Sequence, residues 1–498
     1  MEKLYFKVSR DPIYSEIFLY PLEIVISDTK AMQRLRYLSQ LAGAEYVYPS
    51  ATHTRFSHSL GVMHLSGVYS EHIYGDNHSK FRLLRIAGLL HDVGHGPYSH
   101  QFDDVVYKKM GYSDGHDDFR EKIIKNILID EIISEYEYIK DPRTKNDFLK
   151  DLKFTIEEEV NEENLRESLV ILMEKVNDIY RGEDSGNIDF NIIQGPLGAD
   201  RLDFVLRDSY YAGTRHFGTG ATDRMIRNSE IYDGNKLVYS IKVIDDIYTS
   251  LFSRFMMYKN VYFHKTSRAA DQMIQEILRY AYDILDLKNR VENLETFADL
   301  TDSLIIDEIS FLYNIVFEKK NVLINPSGDI LKYSEKILNA HELIERLKKR
   351  DFWKLIVEIP YSTTGVDPTV VSVSVAENVL KKIKTNIENV VITDISKEDK
   401  EELYGILDNF EYLFKIDTPY KLSVVHPDEF LSSDVFIKDT NGDIINFDEI
   451  YDRYPALELM AKNLIQIVRI YIKEDKRNIL NKYNIIPGTD KAKINTRW

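Results

Sequence analysis

The segment Leu90-His-Asp-Val-Gly-His-Gly-Pro-Tyr-Ser-His-Gln-Phe-Asp103 places three histidines and two aspartates within fourteen residues. It follows an apolar stretch with helical periodicity, which its Gly and Pro residues interrupt. The adjacent pair His91 and Asp92 therefore lies where a helix ends, and its imidazole nitrogen and carboxylate oxygen can face one cation. His100 and Asp103 are three residues apart and can form a second pair. The segment indicates a metal centre at a helix terminus.

Two further segments strengthen this interpretation, because a single His-Asp pair occurs by chance in many proteins. The stretch Thr54–Val62 begins one predicted helix and contains His58. The stretch Gly198–Asp208 begins another, with Asp200 in its first turn. The alternative for His58 is an ordinary helix histidine, and for Asp200 it is an acid that the helix dipole favours.

The composition is that of a globular protein. The chain has 498 residues, of which 44% are hydrophobic and 29% charged, and these proportions exclude global disorder. No Cys is present, so disulfides and thiolate ligands are excluded and any metal is held by His and carboxylates. No apolar run approaches the roughly 20 residues that cross a bilayer, and the N-terminus lacks a signal-peptide pattern. We expect a soluble, cytoplasmic protein that does not bind membranes.

The charge balance bears on the kind of ligand. The 64 Lys and Arg residues against 81 Asp and Glu residues give a formal net charge of −17. This argues against nucleic acid as a partner, because phosphate-backbone binding needs clustered Lys and Arg. It still permits a local basic pocket for a small phosphorylated ligand.

Hydrophobic periodicity predicts a mainly α fold, with a helical lobe over residues 1–315 and a smaller α+β lobe over residues 316–498. We expect the second lobe to pack on the first and to take part in assembly. The predicted helices are Lys30–Leu41, Phe56–Ile73, Phe81–His91, Phe119–Ile133, Ala199–Tyr211 and Val243–Leu287. The second lobe is predicted to contain strands Leu355–Ile359 and Val370–Val375, a hairpin of Val435–Lys438 with Ile444–Phe447, and a final helix Pro455–Lys473.

Together these segments resemble the HD-domain phosphohydrolase superfamily, whose signature of H…HD…D corresponds to His58, His91, Asp92 and Asp200. The resemblance is closest to the dNTP triphosphohydrolases of the SAM-and-HD-domain type. It runs from Asp11-Pro-Ile-Tyr to Tyr262-Phe-His-Lys265, over about the first 290 residues of the chain. We expect no SAM domain ahead of the HD segments.

This resemblance implies a hydrolase that converts a deoxynucleoside triphosphate into deoxynucleoside and inorganic triphosphate. The four signature residues would hold one divalent metal per subunit, with Mn, Fe, Zn, Mg and Ni all open. By matching position, His100 protonates the leaving 5′-oxygen and is oriented by Asp103, while His95 and His116 contact phosphate. An imidazole suits proton transfer because it titrates near neutral pH. The alternative for His116 is an ordinary solvated residue.

Substrate contacts are also implied by matching position. Arg55, Arg201 and Arg254 would bind phosphate, Gln40, Asp208 and Tyr262 would read the deoxyribose, and Leu41 would pack against the base. Two positions depart from the family pattern. Arg201 stands where Lys is usual, and Phe204 stands where a phosphate-contacting Tyr is expected. Arg can replace Lys as a phosphate ligand, whereas Phe cannot replace the hydroxyl.

Family members of this type are activated by guanine nucleotides bound between subunits, and the resemblance suggests a dimer that becomes a tetramer. GTP or dGTP is therefore a possible activator. The matching positions are Asp28, Gln33 and Arg36 for the guanine and Arg224 and Lys265 for the activator phosphate. The alternative is that residues 33–36 belong to an amphipathic structural helix.

Other functions are compatible with the same predicted metal site. The enzyme could act on nucleotide monophosphates, cyclic nucleotides or DNA ends, or the protein could be a non-catalytic nucleotide sensor. The intact set of predicted ligands disfavours the sensor, and the acidic balance disfavours the nuclease. His53 and His64 match no catalytic position, and Asp203 with Arg207 is interpreted as a plain i,i+4 ion pair.

Overall fold

The computed structural model describes residues 7–182, 187–218, 221–318, 328–363, 368–419, 435–452 and 464–487. Within these ranges the protein is mainly helical, as predicted, and two large hydrophobic cores and a smaller apolar cluster hold it together. Trp353, Ile437 and Phe447 belong to the larger core, which is built chiefly from the first 310 residues. Residues of the predicted second lobe therefore pack on the first. The division after residue 315 stays a prediction.

The helices are numbered in chain order. Those before residue 200 are α1 Pro21–Asp28, α2 Lys30–Arg34, α3 Arg55–Tyr74, α4 His78–Leu90, α5 His100–Phe102, α6 Lys108–Met110, α7 Gly115–Asn126, α8 Leu128–Tyr138, α9 Pro142–Ile156, α10 Leu165–Tyr180, α11 Ile188–Ile193 and α12 Ala199–Tyr211. Those after it are α13 Thr222–Arg227, α14 Ile244–Met257, α15 Lys265–Ile284, α16 Leu287–Glu292, α17 Leu294–Phe297, α18 Asp302–Tyr313, α19 Gly328–Leu331, α20 Ser334–Lys348, α21 Pro368–Val391, α22 Lys397–Asp408, α23 Phe410–Leu413 and α24 Arg477–Lys482. Among the described residues, no helix has the length and apolarity that crossing a bilayer requires.

Nine strands form three small sheets in the described part of the chain. They are β1 Lys7–Asp11, β2 Ser15–Leu19, β3 Ser229–Tyr232, β4 Lys236–Ser240, β5 Lys354–Thr363, β6 Phe414–Asp417, β7 Phe436–Lys438, β8 Ile444–Asn446 and β9 Leu464–Ile472. β1 and β2 form a hairpin, and a second sheet has the order β3-β4-β7-β8, in which β4 and β7 are parallel. The third sheet has the order β5-β9-β6 and is antiparallel.

Three predicted helices need their boundaries corrected. The predicted helix Lys30–Leu41 is α-helical only to Arg34 and then becomes a short 3₁₀ turn. The predicted helix Phe119–Ile133 is divided between α7 and α8. The long pattern from Val243 to Leu287 is interrupted by a π turn at Tyr258–Tyr262, between α14 and α15. Helical periodicity continues across each of these breaks, which is why the sequence pattern does not reveal them.

Two predictions in the second lobe were wrong. Residues 370–375, predicted as a strand, lie in α21, because buried residues at helical spacing such as Ile383, Ile387 and Val391 extend that helix along its length. The described part of the predicted helix Pro455–Lys473 contains strand β9 instead. β9 is the central strand of its sheet, and a strand buried on both faces gives the same apolar run as a buried helix. Strand β5 and the hairpin of β7 and β8 were predicted correctly.

Two glycines allow the three helices that carry the predicted metal ligands to meet. A Cβ atom at Gly88 of α4 would lie 2.6 Å from Ser66 Oγ and 3.0 Å from Val62 O of α3. A Cβ atom at Gly61 of α3 would lie 2.0 Å from Asp203 Oδ1 of α12. Such distances leave no room for a side chain, so α4 and α12 pack directly against α3. This packing brings the start of α3, the end of α4 and the first turn of α12 together.

Candidate active site

A cavity of about 320 Å³ opens where α3, α12 and the loop after α4 meet. The segment that precedes α3 and the residues between α14 and α15 complete its wall. The predicted site residues that line it are Gln40, Leu41, Arg55, His58, Asp92, His95, His100, His116, Asp200, Asp208 and Tyr262. One cavity thus collects residues that the sequence assigns to metal binding, catalysis and substrate binding.

The four predicted metal ligands lie close together. His58 Nε2 is 3.0 Å from Asp200 Oδ1, and His91 Nε2 is 3.3 Å from Asp92 Oδ1. His91 Nδ1 donates a hydrogen bond to the Gly88 carbonyl at 2.8 Å, which leaves Nε2 as the nitrogen with a lone pair. That Nε2 is buried and has no hydrogen-bond partner among the described residues. This donor set, with a buried nitrogen left unsatisfied, fits a divalent metal ion.

The charges around this cluster also favour a cation. Burial lowers the pKa of His58, but hydrogen bonds with Asp200 and Asp203 outweigh burial and raise that pKa to about 10. Burial favours the neutral form of Asp92, yet the Arg55 guanidinium and the nearby histidines hold its pKa well below the usual range. Asp92 is therefore ionised at neutral pH. A positive charge between these carboxylates is stabilised, whether a proton or a metal supplies it.

Asp203 contacts His58 and thereby supports the cluster of predicted metal ligands. Its Oδ2 lies 2.7 Å from His58 Nδ1, and the Tyr14 hydroxyl donates to its Oδ1 at 2.8 Å. The predicted ion pair with Arg207 is present, with Nε at 2.8 Å from Oδ2. Asp203 therefore does more than the sequence interpretation allowed, because it also fixes the ring of His58 and directs Nε2 towards Asp200.

A second group places three histidines around one carboxylate. Asp103 Oδ2 lies 3.1 Å from His100 Nδ1, 3.2 Å from His116 Nδ1 and 3.7 Å from His95 Nδ1. The rings of His95 and His116 stack with centroids 4.1 Å apart. Burial opposes ionisation of Asp103, but its hydrogen bond with His100 and its close contact with the His116 imidazole hold its pKa well below the usual range. The His100 side chain is 70% exposed, so it is accessible to a ligand in the cavity.

Arg55 links the metal cluster to the loop that precedes His100. Its Nη1 donates to Asp92 Oδ2 at 2.6 Å, and its Nε donates to Ser99 Oγ at 2.7 Å. The residue is buried and also lines the cavity. Arg55 therefore orients a predicted metal ligand in addition to placing a positive charge beside the cavity.

Gln40, Asp208 and Tyr262 lie together on another part of the cavity wall. The Tyr262 hydroxyl donates to Asp208 Oδ2 at 2.5 Å, and His53 Nε2 lies 2.8 Å from Asp208 Oδ1. Gln40 Oε1 is buried and has no hydrogen-bond partner in the described structure. His53, for which the sequence predicted no role, therefore helps to fix the predicted sugar-reading carboxylate. Its only signal in the sequence is its place directly before the stretch Thr54–Val62.

Two of the three predicted phosphate-binding arginines do not line the cavity. Arg201 and Arg254 are half-buried outside the described cavity wall, and the Arg254 guanidinium lies 5.5 Å from the centre of the Tyr258 ring. Phe204 and Tyr258 do line the cavity. Phe204 therefore offers no hydroxyl from its own position on the wall.

The five predicted regulatory residues do not all lie together. Asp28 is exposed beside a second small cavity, while Gln33 Nε2 donates to Ser27 O at 2.7 Å and Gln33 Oε1 accepts from Arg36 Nε at 2.8 Å. Arg36 also covers the ring of Phe56 at 3.7 Å. The other two residues lie on other elements: Arg224 pairs with Asp246, and Lys265 begins α15.

Asp271 makes the stability of this region depend on pH. Burial raises its pKa to about 7, although Arg268 and the Gly43 amide partly oppose the shift. The folded chain therefore binds a proton that the unfolded chain, with an Asp pKa near 3.9, releases. This contribution to the free energy of unfolding is present at acidic pH and is lost as pH rises from about 4 to 7.

We therefore expect Asp271→Asn to raise the melting temperature at pH 8 by more than it does at pH 5. The asparagine keeps an acceptor for the Gly43 amide and removes the buried charge, and a gain of about 1–2 kcal/mol at pH 8 is reasonable. Thermal unfolding of both proteins at the two pH values measures the difference. An equal shift at both pH values would contradict the argument.

Comparisons with known proteins agree with this geometry. Residues 55–173 match the HD domain family, and residues 221–310 match the HD associated region. An uncharacterized protein of Methanocaldococcus jannaschii is 33% identical over 312 residues, which cover 61% of this chain and 57% of that protein. Deoxynucleoside triphosphate triphosphohydrolase SAMHD1 of Homo sapiens is 26% identical over 382 residues, which cover 71% of this chain and 55% of that protein. The chain thus spans little more than half the length of these relatives.

Solved structures share the fold. A phosphohydrolase from Bacteroides thetaiotaomicron has a TM-score of 0.63 at 20% identity, covering 94% of this chain and 100% of that one. A hypothetical protein from Aquifex aeolicus has a TM-score of 0.59 at 23% identity, covering 96% of this chain and 99% of that one. The matched HD region contains His58, His91 and Asp92, which the structure brings together with Asp200. This chain therefore contains an HD domain and is similar to the SAMHD1-type dNTP triphosphohydrolases.

Proposed function

We propose that this protein is a metal-dependent triphosphohydrolase that converts deoxynucleoside triphosphates into deoxynucleoside and inorganic triphosphate. The observation that carries the proposal is one cavity that joins the His and Asp cluster, the three-histidine group and the Tyr262–Asp208 pair. Such a cavity offers separate places for a metal, a phosphate chain and a sugar. The similarity to SAMHD1 of Homo sapiens supports the same reaction.

His58, His91, Asp92 and Asp200 are the residues that would hold the metal. Mn, Fe, Zn, Mg and Ni all accept this mixture of imidazole and carboxylate ligands, so the donor set does not select among them. When bound, a divalent metal polarises phosphoryl oxygens and lowers the pKa of an attacking water. Asp203 holds His58 in position for this task, and Arg55 does so for Asp92.

His100 is proposed as the proton donor. Water attacks the α-phosphorus and forms a new phosphorus–oxygen bond while the bond to the 5′-oxygen breaks. The 5′-oxygen leaves with the proton from His100, the water releases a proton to solvent, and His100 is reprotonated from solvent. Asp103, whose Oδ2 lies 3.1 Å from His100 Nδ1, orients the ring. His95, His116 and Arg55 lie beside His100 or Asp92 and would contact the negatively charged phosphates.

The opposite part of the wall is proposed to select the sugar. Asp208 and the unsatisfied Gln40 oxygen are acceptors suited to a 3′-hydroxyl, and Leu41 supplies an apolar surface for the base. The Tyr262 ring, held by its bond to Asp208, would crowd a 2′-hydroxyl. This arrangement favours deoxyribonucleotides over ribonucleotides.

Product analysis tests the proposed reaction. Each dNTP and NTP is incubated with the protein and one of several divalent metals, and the products are separated by ion-exchange chromatography. We expect deoxynucleoside and inorganic triphosphate from dNTPs and little turnover of NTPs. Release of orthophosphate or pyrophosphate would show a different reaction, and turnover of monophosphates or cyclic nucleotides a different substrate.

Regulation by a guanine nucleotide is a further part of the proposal. Asp28 is exposed, and its carboxylate can accept from the N1–H and 2-amino group of guanine. An activator bound between subunits requires an oligomer and shifts assembly only through different affinities for the two states. A cytoplasmic location, where nucleotides are abundant, suits this function.

Asp28→Ala should therefore lose stimulation by GTP or dGTP while keeping basal hydrolysis and bound metal. The substitution removes an exposed acceptor that lies on α1, away from the cavity described above. Steady-state rates with and without dGTP, together with sedimentation velocity, measure both effects. If wild type forms the same species with and without dGTP and the variant is equally active, the protein is an unregulated enzyme.

A further inference from the structure

Two consecutive residues directly before His100 adopt an unusual backbone conformation. Tyr98 has φ of 60° and Ser99 has φ of 55°, and neither is glycine. Side chains with a Cβ atom disfavour this left-handed region, so such residues persist only where the surrounding structure holds them. The turn sets the start of α5 and thereby the direction in which the His100 side chain leaves the backbone.

Asp302, the first residue of α18, holds this turn. Its Oδ1 accepts a hydrogen bond from the Tyr98 amide at 2.7 Å, and the Tyr98 hydroxyl donates to the Asp302 carbonyl at 3.1 Å. Its Oδ2 accepts from the Ser39 amide at 2.8 Å. One side chain therefore joins α18 to the loop before His100 and to the segment that leads into Gln40.

Hydrogen bonds connect the turn at Tyr98 and Ser99 to the cluster of predicted metal ligands. The Ser99 hydroxyl donates to the Ser39 carbonyl at 2.7 Å and accepts from Arg55 Nε at 2.7 Å. Arg55 in turn donates to Asp92. Asp302 itself does not line the described cavity, so any influence on catalysis passes through these loops.

We propose that Asp302 is a positioning residue for His100: its carboxylate bridges the Tyr98 and Ser39 amides and holds the strained turn that presents the imidazole to substrate. The inference rests on the proposed role of His100 as proton donor. Burial raises the pKa of Asp302 to about 7, so above that pH the side chain is an ionised carboxylate in which both oxygens are acceptors. An asparagine has the same shape but offers one acceptor, and its NH₂ group would face one of the two amide donors.

The decisive variant is Asp302→Asn. We expect kcat to fall by about 10- to 100-fold, the scale on which a small displacement of a reacting group reduces rate. Bound metal should stay stoichiometric and KM should change by less than about threefold, because the phosphate and metal contacts remain. Asp307→Asn, at an exposed position of the same helix, is the matched control and should leave both constants unchanged.

A double-mutant cycle separates positioning from general loss of structure. If Asp302 acts through His100, Asp302→Asn should cause no further loss of kcat in a His100→Ala background. A multiplicative loss in that background, or an unchanged kcat in the single variant, would overturn the proposal. Failure of the proposed function gives different results. In that case wild type releases no triphosphate, or His100→Ala hydrolyses dNTPs at the wild-type rate, whatever the effect of Asp302→Asn.

A milder variant covers the case in which Asp302→Asn does not fold. Tyr98→Phe removes only the hydroxyl donor to the Asp302 carbonyl and keeps the ring. We expect a loss of kcat of about two- to fivefold with unchanged circular dichroism and metal content, and again no additional loss in the His100→Ala background. Full activity of Tyr98→Phe together with unaltered thermal stability would contradict the proposed role of Asp302 in holding the turn before His100.

Discussion

Asp92→Ala is expected to remove the bound divalent metal and to reduce hydrolysis to the uncatalysed background. Asp92 Oδ1 lies 3.3 Å from His91 Nε2 and 3.4 Å from His95 Nε2, and Oδ2 accepts from Arg55 at 2.6 Å. The substitution removes a ligand oxygen and leaves the Arg55 guanidinium without its carboxylate. That unneutralised charge then repels a cation, so the loss exceeds that of one ligand alone. No cysteine is present to substitute as a ligand.

His91→Ala should give the same result by a different route, because it removes the buried, unsatisfied Nε2 but leaves the carboxylates intact. Metal content after dialysis, measured by mass spectrometry, is the primary observable, and turnover of a dNTP is the second. His78→Ala is the matched control, since His78 begins the helix that ends directly before His91. Circular dichroism establishes whether each variant is folded. Stoichiometric metal at the wild-type rate in either variant would exclude this site.

The local parts of the fold follow from the sequence. The bounds of α12 agree with the predicted Ala199–Tyr211, because a buried stripe at helical spacing and the preceding Gly198 mark both the helix and its start. α3 and α4 are predicted within a few residues for the same reason. Strand β9 and helix α21 were assigned wrongly, since short runs of β-branched residues do not distinguish a strand from a helix.

The contacts that connect distant segments do not follow from periodicity. Asp203 was interpreted as half of an ion pair within one helix, yet it also binds His58, which lies 145 residues earlier. His53 contacts Asp208 across 155 residues, and Asp302 contacts Ser39 across 263. Spacing within a helix reports neighbours three or four residues apart and nothing about partners on other helices. The metal ligands could be predicted because their family signature, rather than their geometry, is visible in the sequence.

His100→Ala is expected to slow dNTP hydrolysis by roughly two to four orders of magnitude, the usual contribution of a general acid, while metal and substrate still bind. The His100 side chain is 70% exposed, so its removal opens no cavity in the core and the fold should persist. Asp103 keeps its contacts with His95 and His116, which preserves the remaining charges of the site. The loss should therefore appear in kcat with little change in KM.

The pH dependence distinguishes a proton donor from a residue that only binds phosphate. A general acid must be protonated, so the wild-type kcat should fall on the alkaline side, and the variant should lack that fall. Asp103→Asn, which removes the orienting carboxylate but keeps the imidazole, should retain the alkaline fall at a reduced rate. Stopped-flow or chromatographic assays between pH 6 and 9 measure all three proteins. If His100→Ala instead raises KM, leaves kcat unchanged and keeps the wild-type alkaline fall, His100 binds substrate and another group donates the proton.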